Sequence, residues 1–169
     1  MGELSKKMAD VIKTQMLYNI GNGWSFYAYK KLGPKGIIDV ELEMWDALMP
    51  PAMDLLYQIV KPEGNNIEKA KCVINEICKV NAYVPKFSEE TSNSFKLEYK
   101  VCPNWNSMLQ MKLDDYLSID GKPAKVSCIH GCTKIQKHYL KKIDPNVKVQ
   151  SIMNRPDAAK TCIFQISFE

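Results

Sequence analysis

At 169 residues the chain is long enough to bury one sizeable core without disulfides to hold it. Its 46% apolar and 25% charged residues exclude a disordered or fibrous class. A formal net charge of +4 with no block of like charge argues against a nucleic-acid module, and no run reaches the ~18 apolar residues of a membrane span.

The opening Met1-Gly2-Glu3-Leu4-Ser5-Lys6 holds no apolar stretch that reads as a secretory signal, and Lys6 breaks the myristoylation pattern. A cytoplasmic, reducing compartment is the expectation. There, six cysteines read as free thiols, ligands or nucleophiles rather than as a disulfide framework.

In chain order, Met8, Val11, Ile12, Met16, Leu17 and Ile20 recur at helical spacing and predict an amphipathic helix broken at Gly21-Asn22-Gly23. A short aromatic helix follows from Trp24 through Tyr27 to Gly33-Pro34. A third helix carries Ile37, Trp45 and Leu48 and is ended or kinked by Pro50-Pro51, after which the apolar pattern resumes at Met53. Asp39, Glu43 and Asp46 share a face without a Glu-x-x-His motif, so they read as a solvated acidic surface. Asn65-Asn66 caps a helix from Ile67 to about Val80, in which Cys72 and Cys78 read as packing residues. Pro85 to Asn93 reads as a loop.

The period then changes. Phe95, Leu97, Tyr99 and Val101 alternate with charged residues and predict a half-buried antiparallel strand, ended by Pro103. A helix from Trp105 to Leu117 and another from Val126 to Lys142 come next. The second bears Lys134, Lys137, Lys141 and Lys142 on a face read as solvated. Val147–Met153 and Cys162–Phe168 predict two further strands. The expectation is a single α+β domain over 1–169. Residues 1–84 form an N-terminal helical bundle; 94–169 run strand-helix-helix-strand-strand, a small antiparallel sheet with an intervening helical pair.

Chemistry-bearing residues concentrate late in the chain. Cys128 and Cys132 stand four apart on a predicted helix, on one face with Ile135 and Tyr139. Cys162 shares a face with Phe164, Ile166 and Phe168, so three thiols can converge where helix meets sheet. Cys102 is out of step with its strand and joins them only through a bulge or the bend at Pro103. A four-thiolate shell of Cys102, Cys128, Cys132 and Cys162 would suit zinc or an iron–sulfur cluster, although paired C-x-x-C knuckles are absent. As a nucleophile, Cys128 lacks a partner base within its own helix, because His130 lies nearly opposite and His138 off its face. Arg155 sits in a predicted turn and is the candidate to clamp a carboxylate, weighed against the commoner case of a turn arginine in solvent. Trp24, Tyr27 and Trp45 are the aromatic candidates for lining a small-ligand pocket, weighed against their use as core. Phosphate-cradling glycine loops, Gly-x-Ser-x-Gly and His-Glu-x-x-His are absent.

Asn22-Gly23-Trp24-Ser25-Phe26, Trp45, Val101-Cys102-Pro103, Cys128-x-x-x-Cys132, Asp144-Pro145-Asn146-Val147, Arg155-Pro156-Asp157 and Cys162-x-Phe164 occur in that order. Over nearly the whole chain they resemble a group of small cytosolic proteins, mainly from anaerobic bacteria and archaea, related to the L-2-amino-thiazoline-4-carboxylic acid hydrolase-like family. The resemblance implies that Cys102, Cys128, Cys132 and Cys162 form a site. Three functions follow as expectations: a metal or iron–sulfur protein with a sensing, carrier or accessory role, a thiol- or metal-dependent hydrolase of a thiazoline-like carboxylate, or a small-ligand-binding domain with inert cysteines.

Overall fold

Ser5 starts the first helix: its hydroxyl accepts the Met8 amide hydrogen at 3.3 Å, satisfying a donor that the helix start leaves open. The computed structural model of the chain describes residues 5–113, 118–119, 122–123, 131–153 and 161–169. Helix α1, Lys6–Val60, is helical throughout except at Gly33, whose φ of 71° and ψ of 178° fall in a region left to glycine. Pro34 follows as the first residue of the second arm, where its missing N–H costs nothing. Gly33 therefore divides α1 into a first arm, 6–32, and a second, 34–60. Around the corner, Ile37 and partly buried Phe26 and Tyr29 pack with Met108 and Leu113.

Two expected interruptions do not occur. The helix runs through Gly21-Asn22-Gly23, because Asn22 is buried and tied down. It donates to Ser107 Oγ at 2.9 Å and to the Asn104 carbonyl at 3.3 Å. Helical backbone also continues through Pro50 and Pro51, where Met49 and Met53 on either side pack against Val73 and Ile77. Tertiary burial overrides the two lost amide bonds.

Helix α2, Asn66–Asn81, opens with a capping box: Asn65 and Glu68 exchange backbone-to-side-chain bonds of 3.0 and 2.8 Å. The strands are β1 Val84–Ser88, β2 Ser94–Val101, β5 Lys148–Met153 and β6 Cys162–Ser167, with a hairpin of β3 Ser118–Ile119 and β4 Lys122–Pro123 between them. The main sheet is antiparallel in the order β1-β2-β6-β5, so the chain is α+β as its patterning predicts. Strand β1 corrects the reading of Pro85–Asn93 as loop. Pro85 is tolerated because β1 is an edge strand and the register slips beside it.

Between the strands lie α3, Pro103–Gln110, and α4, Cys132–Leu140. The earlier part of the helix expected from Val126, through residue 130, lies outside the described residues. Alternate side chains of β2 and β6 point inward: Phe95 opposite Ile166, Leu97 opposite Phe164, Tyr99 opposite Cys162. They meet Ala70 and Ile74 of α2 and Leu140 of α4 in a dry core. Val101 departs from its expected inward place and is 39% exposed, because the chain is already turning into α3.

Candidate functional site

The two arms of α1 do not close against the α2–α4 face. Between them lies a cavity of about 1420 Å³, bounded by Leu17 and Trp24 of the first arm, Trp45 and Met53 of the second, Ile77 of α2 and Tyr139 of α4. Tyr18, Tyr83 and Cys132 also reach its wall. Its extent follows from the fold: Tyr18 Oη donates to the Asn81 carbonyl at 3.3 Å, and Tyr57 Oη donates to the Tyr139 carbonyl at 2.7 Å. These two ties hold each arm to the far side while leaving the space between them open.

The phenols on this wall stay protonated. Burial raises Tyr18 to about 12 against an opposing hydrogen bond from Tyr83, and burial drives Tyr83 and Tyr139 upward as well. They therefore offer hydroxyl groups and ring faces rather than a charge. Trp45 Nε1 donates to Glu41 Oε1 at 3.3 Å, which fixes the indole at one end of the cavity. Gly131, at the start of α4, approaches this pair so closely that a Cβ there would lie 2.7 Å from Glu41 Oε1 and 3.3 Å from Trp45 Nε1.

Of the aromatic candidates, Trp24 and Trp45 are on the wall. Tyr27 is not: it is 68% exposed, its ring edge-on to Phe26 and beside the Lys30 ammonium. Three residues along a helix turn a side chain by roughly 60° from Trp24, enough to carry Tyr27 to the outer surface. Sequence reasoning missed the methionine wall, Met44, Met49 and Met53, and the tyrosines that complete it. The available signal was the density of unbranched, polarizable methionine over 44–53, a composition suited to adaptable contacts.

The cysteines divide among neighbouring environments. The bend at Pro103 does turn Cys102 inward, but as the N-cap of α3: its Sγ accepts the Trp105 amide at 3.4 Å, and it packs with Trp105, Tyr83 and Leu109. Cys162 lies inside the sheet core. Cys132 packs on the edge of that core and opens on the cavity, in line with Ile135 and Tyr139 as its helical spacing predicts. Cys78, also in the core, is held as a thiol: burial pushes it up to about 12 despite a hydrogen bond with Tyr99. Among the described residues no three of His, Cys, Asp and Glu are placed to hold a metal ion. Cys102, Cys132 and Cys162 are thus not gathered into one group of three. Cys128, the fourth thiol, and Arg155, the expected carboxylate clamp, lie outside the described residues.

A smaller cleft of about 500 Å³ lies on the outer side of α4, between Asp46 and the row Lys134, Lys137, His138 and Lys141. Two members of the lysine face expected to be solvated are ion-paired to α1: Lys134 with Asp46, and Lys142 with Asp54. His138 Nε2 also meets Asp46 Oδ1 at 2.9 Å. The Lys134 bond, then the His138 bond, holds the Asp46 carboxyl below its usual value. These ion pairs fasten α4 to the second arm, and with it the cavity's inner wall.

The fold and site together define an α+β protein with a largely apolar, solvent-open cavity walled mainly by one bent helix. No protein-family model matches the chain, and no curated protein matches it. Among the described residues no helix is long and apolar enough to cross a membrane.

Proposed function

We propose that this protein binds a small, predominantly apolar molecule in the cavity between the arms of α1 and the α2–α4 face. One observation carries the reading. A cavity of about 1420 Å³ is walled by Trp24, Trp45, Met53, Ile77 and Tyr139, while the neighbouring sheet core is closely filled. Apolar walls with a few placed hydroxyls are the usual make-up of small-molecule sites.

The test is uptake of a neutral solvatochromic dye such as Nile red by the purified chain. Saturable binding of one dye per chain is expected, with quenching of tryptophan emission. Ile135→Trp, which adds bulk to the α4 wall of the cavity, should weaken that binding while far-ultraviolet circular dichroism is unchanged. Absence of saturable dye binding to the wild type, or affinity unmoved by this variant, would sink the reading.

A second reading draws on Cys132 at the cavity wall. On this reading a thiol there attacks, or ligates a metal beside, a bound cyclic carboxylate of the thiazoline type, the reaction class that the sequence resemblance implies. Turnover of such a substrate that disappears in Cys132→Ala supports it; undiminished turnover in that variant removes Cys132 from the chemistry. Metal and acid-labile sulfide content after anaerobic purification addresses a cysteine-bound centre directly. A colourless, metal-free protein with six titratable thiols would retire that idea.

A further inference from the structure

The cavity's lining changes character along the first arm of α1. From Leu17 onward it is mainly apolar, through Ile20 and Trp24 and across to Met49 and Met53, with Asn22, Ser25 and Glu41 as polar exceptions on α1. Toward the start of the helix it becomes basic: Lys6, Lys7 and Lys13 line it from α1 and Lys79 from the last turn of α2, against Asp10 nearby and Glu41 farther along, beside Trp45, among the described residues. Lys79 is paired with Glu76, whereas among the described residues Lys6, Lys7 and Lys13 have no ion-pair partner. Asp10, three or four residues from each of these three, offsets part of this charge, but the helix start does not favour Lys6 and Lys7. The first turn of α1 contains no acidic residue, and cations at a helix start oppose the macrodipole.

Shape supplies the second constraint. The lining extends along the arm from Lys6 to Ser25, on the order of 28 Å at 1.5 Å per residue. The volume of about 1420 Å³ exceeds that of most pockets built for one compact ring system, which run to roughly 1,000 Å³. Methionines Met44, Met49 and Met53 give the deep wall side chains that adapt to a flexible chain. The indoles of Trp24 and Trp45 alone would also suit a cation. Glu41 beside Trp45 would favour one, but the lysines at the start of the helix outnumber it and repel one.

Building on the ligand-binding reading above, we propose that the occupant is an anionic single-chain amphiphile, a long-chain carboxylate. Its hydrocarbon lies against Leu17, Trp24, Met49 and Met53, and its carboxylate lies among Lys6, Lys7 and Lys13. The lysines select the head group, and the apolar wall provides most of the binding through removal of the chain from water.

Tryptophan fluorescence titrations of the full chain with dodecanoate, dodecanol and dodecyltrimethylammonium, the ionic ligands kept below their micellar concentrations and dodecanol below its solubility, test this. Dodecanoate should bind about tenfold more tightly than dodecanol, the scale of a few partly screened charge pairs, and the ammonium ligand most weakly. Added salt should shrink the gap. In the triple variant Lys6→Glu, Lys7→Glu, Lys13→Glu the preference for dodecanoate should vanish while dodecanol affinity is retained, which also reports that the cavity is intact. Dodecanol or the ammonium ligand binding as tightly as dodecanoate to the wild type would overturn the anionic assignment and leave the cavity reading standing. Failure of all three to bind would overturn both.

Discussion

The sheet core and the first arm of α1 are both rich in apolar residues, yet they use them in opposite ways. In the core, Phe95, Leu97, Phe164 and Ile166 are fully buried against α2 and α4. Along the arm, Val11, Leu17, Ile20 and Trp24 remain more than half exposed, and all four face the cavity. The first set has exchanged water for protein, and its contribution to stability is complete. The second has not, so folding alone does not explain its apolar character. On the ligand-binding proposal their burial is completed by the occupant, and stability and binding should then separate by region.

The sharpest way to break that division is at its filled end. Phe164→Ala removes a ring from the centre of the sheet core and should cost about 3–5 kcal/mol of unfolding free energy. Urea denaturation reads it directly. A loss below about 1 kcal/mol would mean that the core is less tightly packed than its burial indicates.

Next in size is the corner that separates the arms. At Gly33 an added Cβ meets nothing within 4 Å, so only the backbone opposes substitution. With φ at 71° and ψ at 178°, Gly33→Ala should cost about 1–3 kcal/mol or be relieved by straightening of α1. Straightening would carry the first arm away from the second and abolish dye uptake. Unfolding and dye titration of the same variant tell the two outcomes apart. A variant as stable and as competent as the wild type would show that the corner is not held by this residue.

Much of the filled region was legible in the sequence, and little of the open one. Alternation in Phe95–Tyr99 and Cys162–Phe168 names the core because a two-residue period with one buried face leaves few other arrangements. The cap at Asn65 is equally local. The strand β1 escaped because Val84–Ser88 is an edge strand with only partly buried alternate positions and a proline within it. The arms escaped for a different reason. Gly21, Gly23, Pro50 and Pro51 read as breaks when taken locally, and the contacts that override them lie far along the chain, at Ser107, Val73 and Ile77. Trp24 and Trp45 were legible as aromatic candidates, but the side chains facing them across the cavity, Tyr83 and Tyr139, become neighbours only in the fold.

The ion-paired cleft behind α4 offers a milder test. Asp46→Asn weakens its pairing with Lys134 and His138, and since Asp46 is an exposed partner the loss should stay within about 1 kcal/mol. Its carboxyl is held below the usual 3.8, with the Lys134 hydrogen bond as the chief cause. The unfolded chain therefore binds the proton more readily. The pair's contribution is fully present above about pH 4, declines as pH falls toward the lowered folded value, and is gone below it. Stability curves of wild type and Asp46→Asn should run apart above pH 4 and converge in acid. Curves that stay parallel throughout would place the stabilisation elsewhere.

The smallest effect on stability should be the most informative about the cavity. Gly131 has ordinary helical backbone angles, φ −63° and ψ −47°, so alanine fits its conformation without strain. The added methyl meets only the end of the Glu41 side chain, which can move, and Trp45 Nε1, which must then give up its bond to Glu41 or turn. Gly131→Ala should therefore unfold within about 0.5 kcal/mol of wild type. Its dye affinity should nevertheless fall several-fold, and Trp45 emission should shift as the indole loses its acceptor. An equal loss of stability and binding would mean that the cavity wall is part of the folding core after all. The contrast between filled sheet and open arm would then be one of degree.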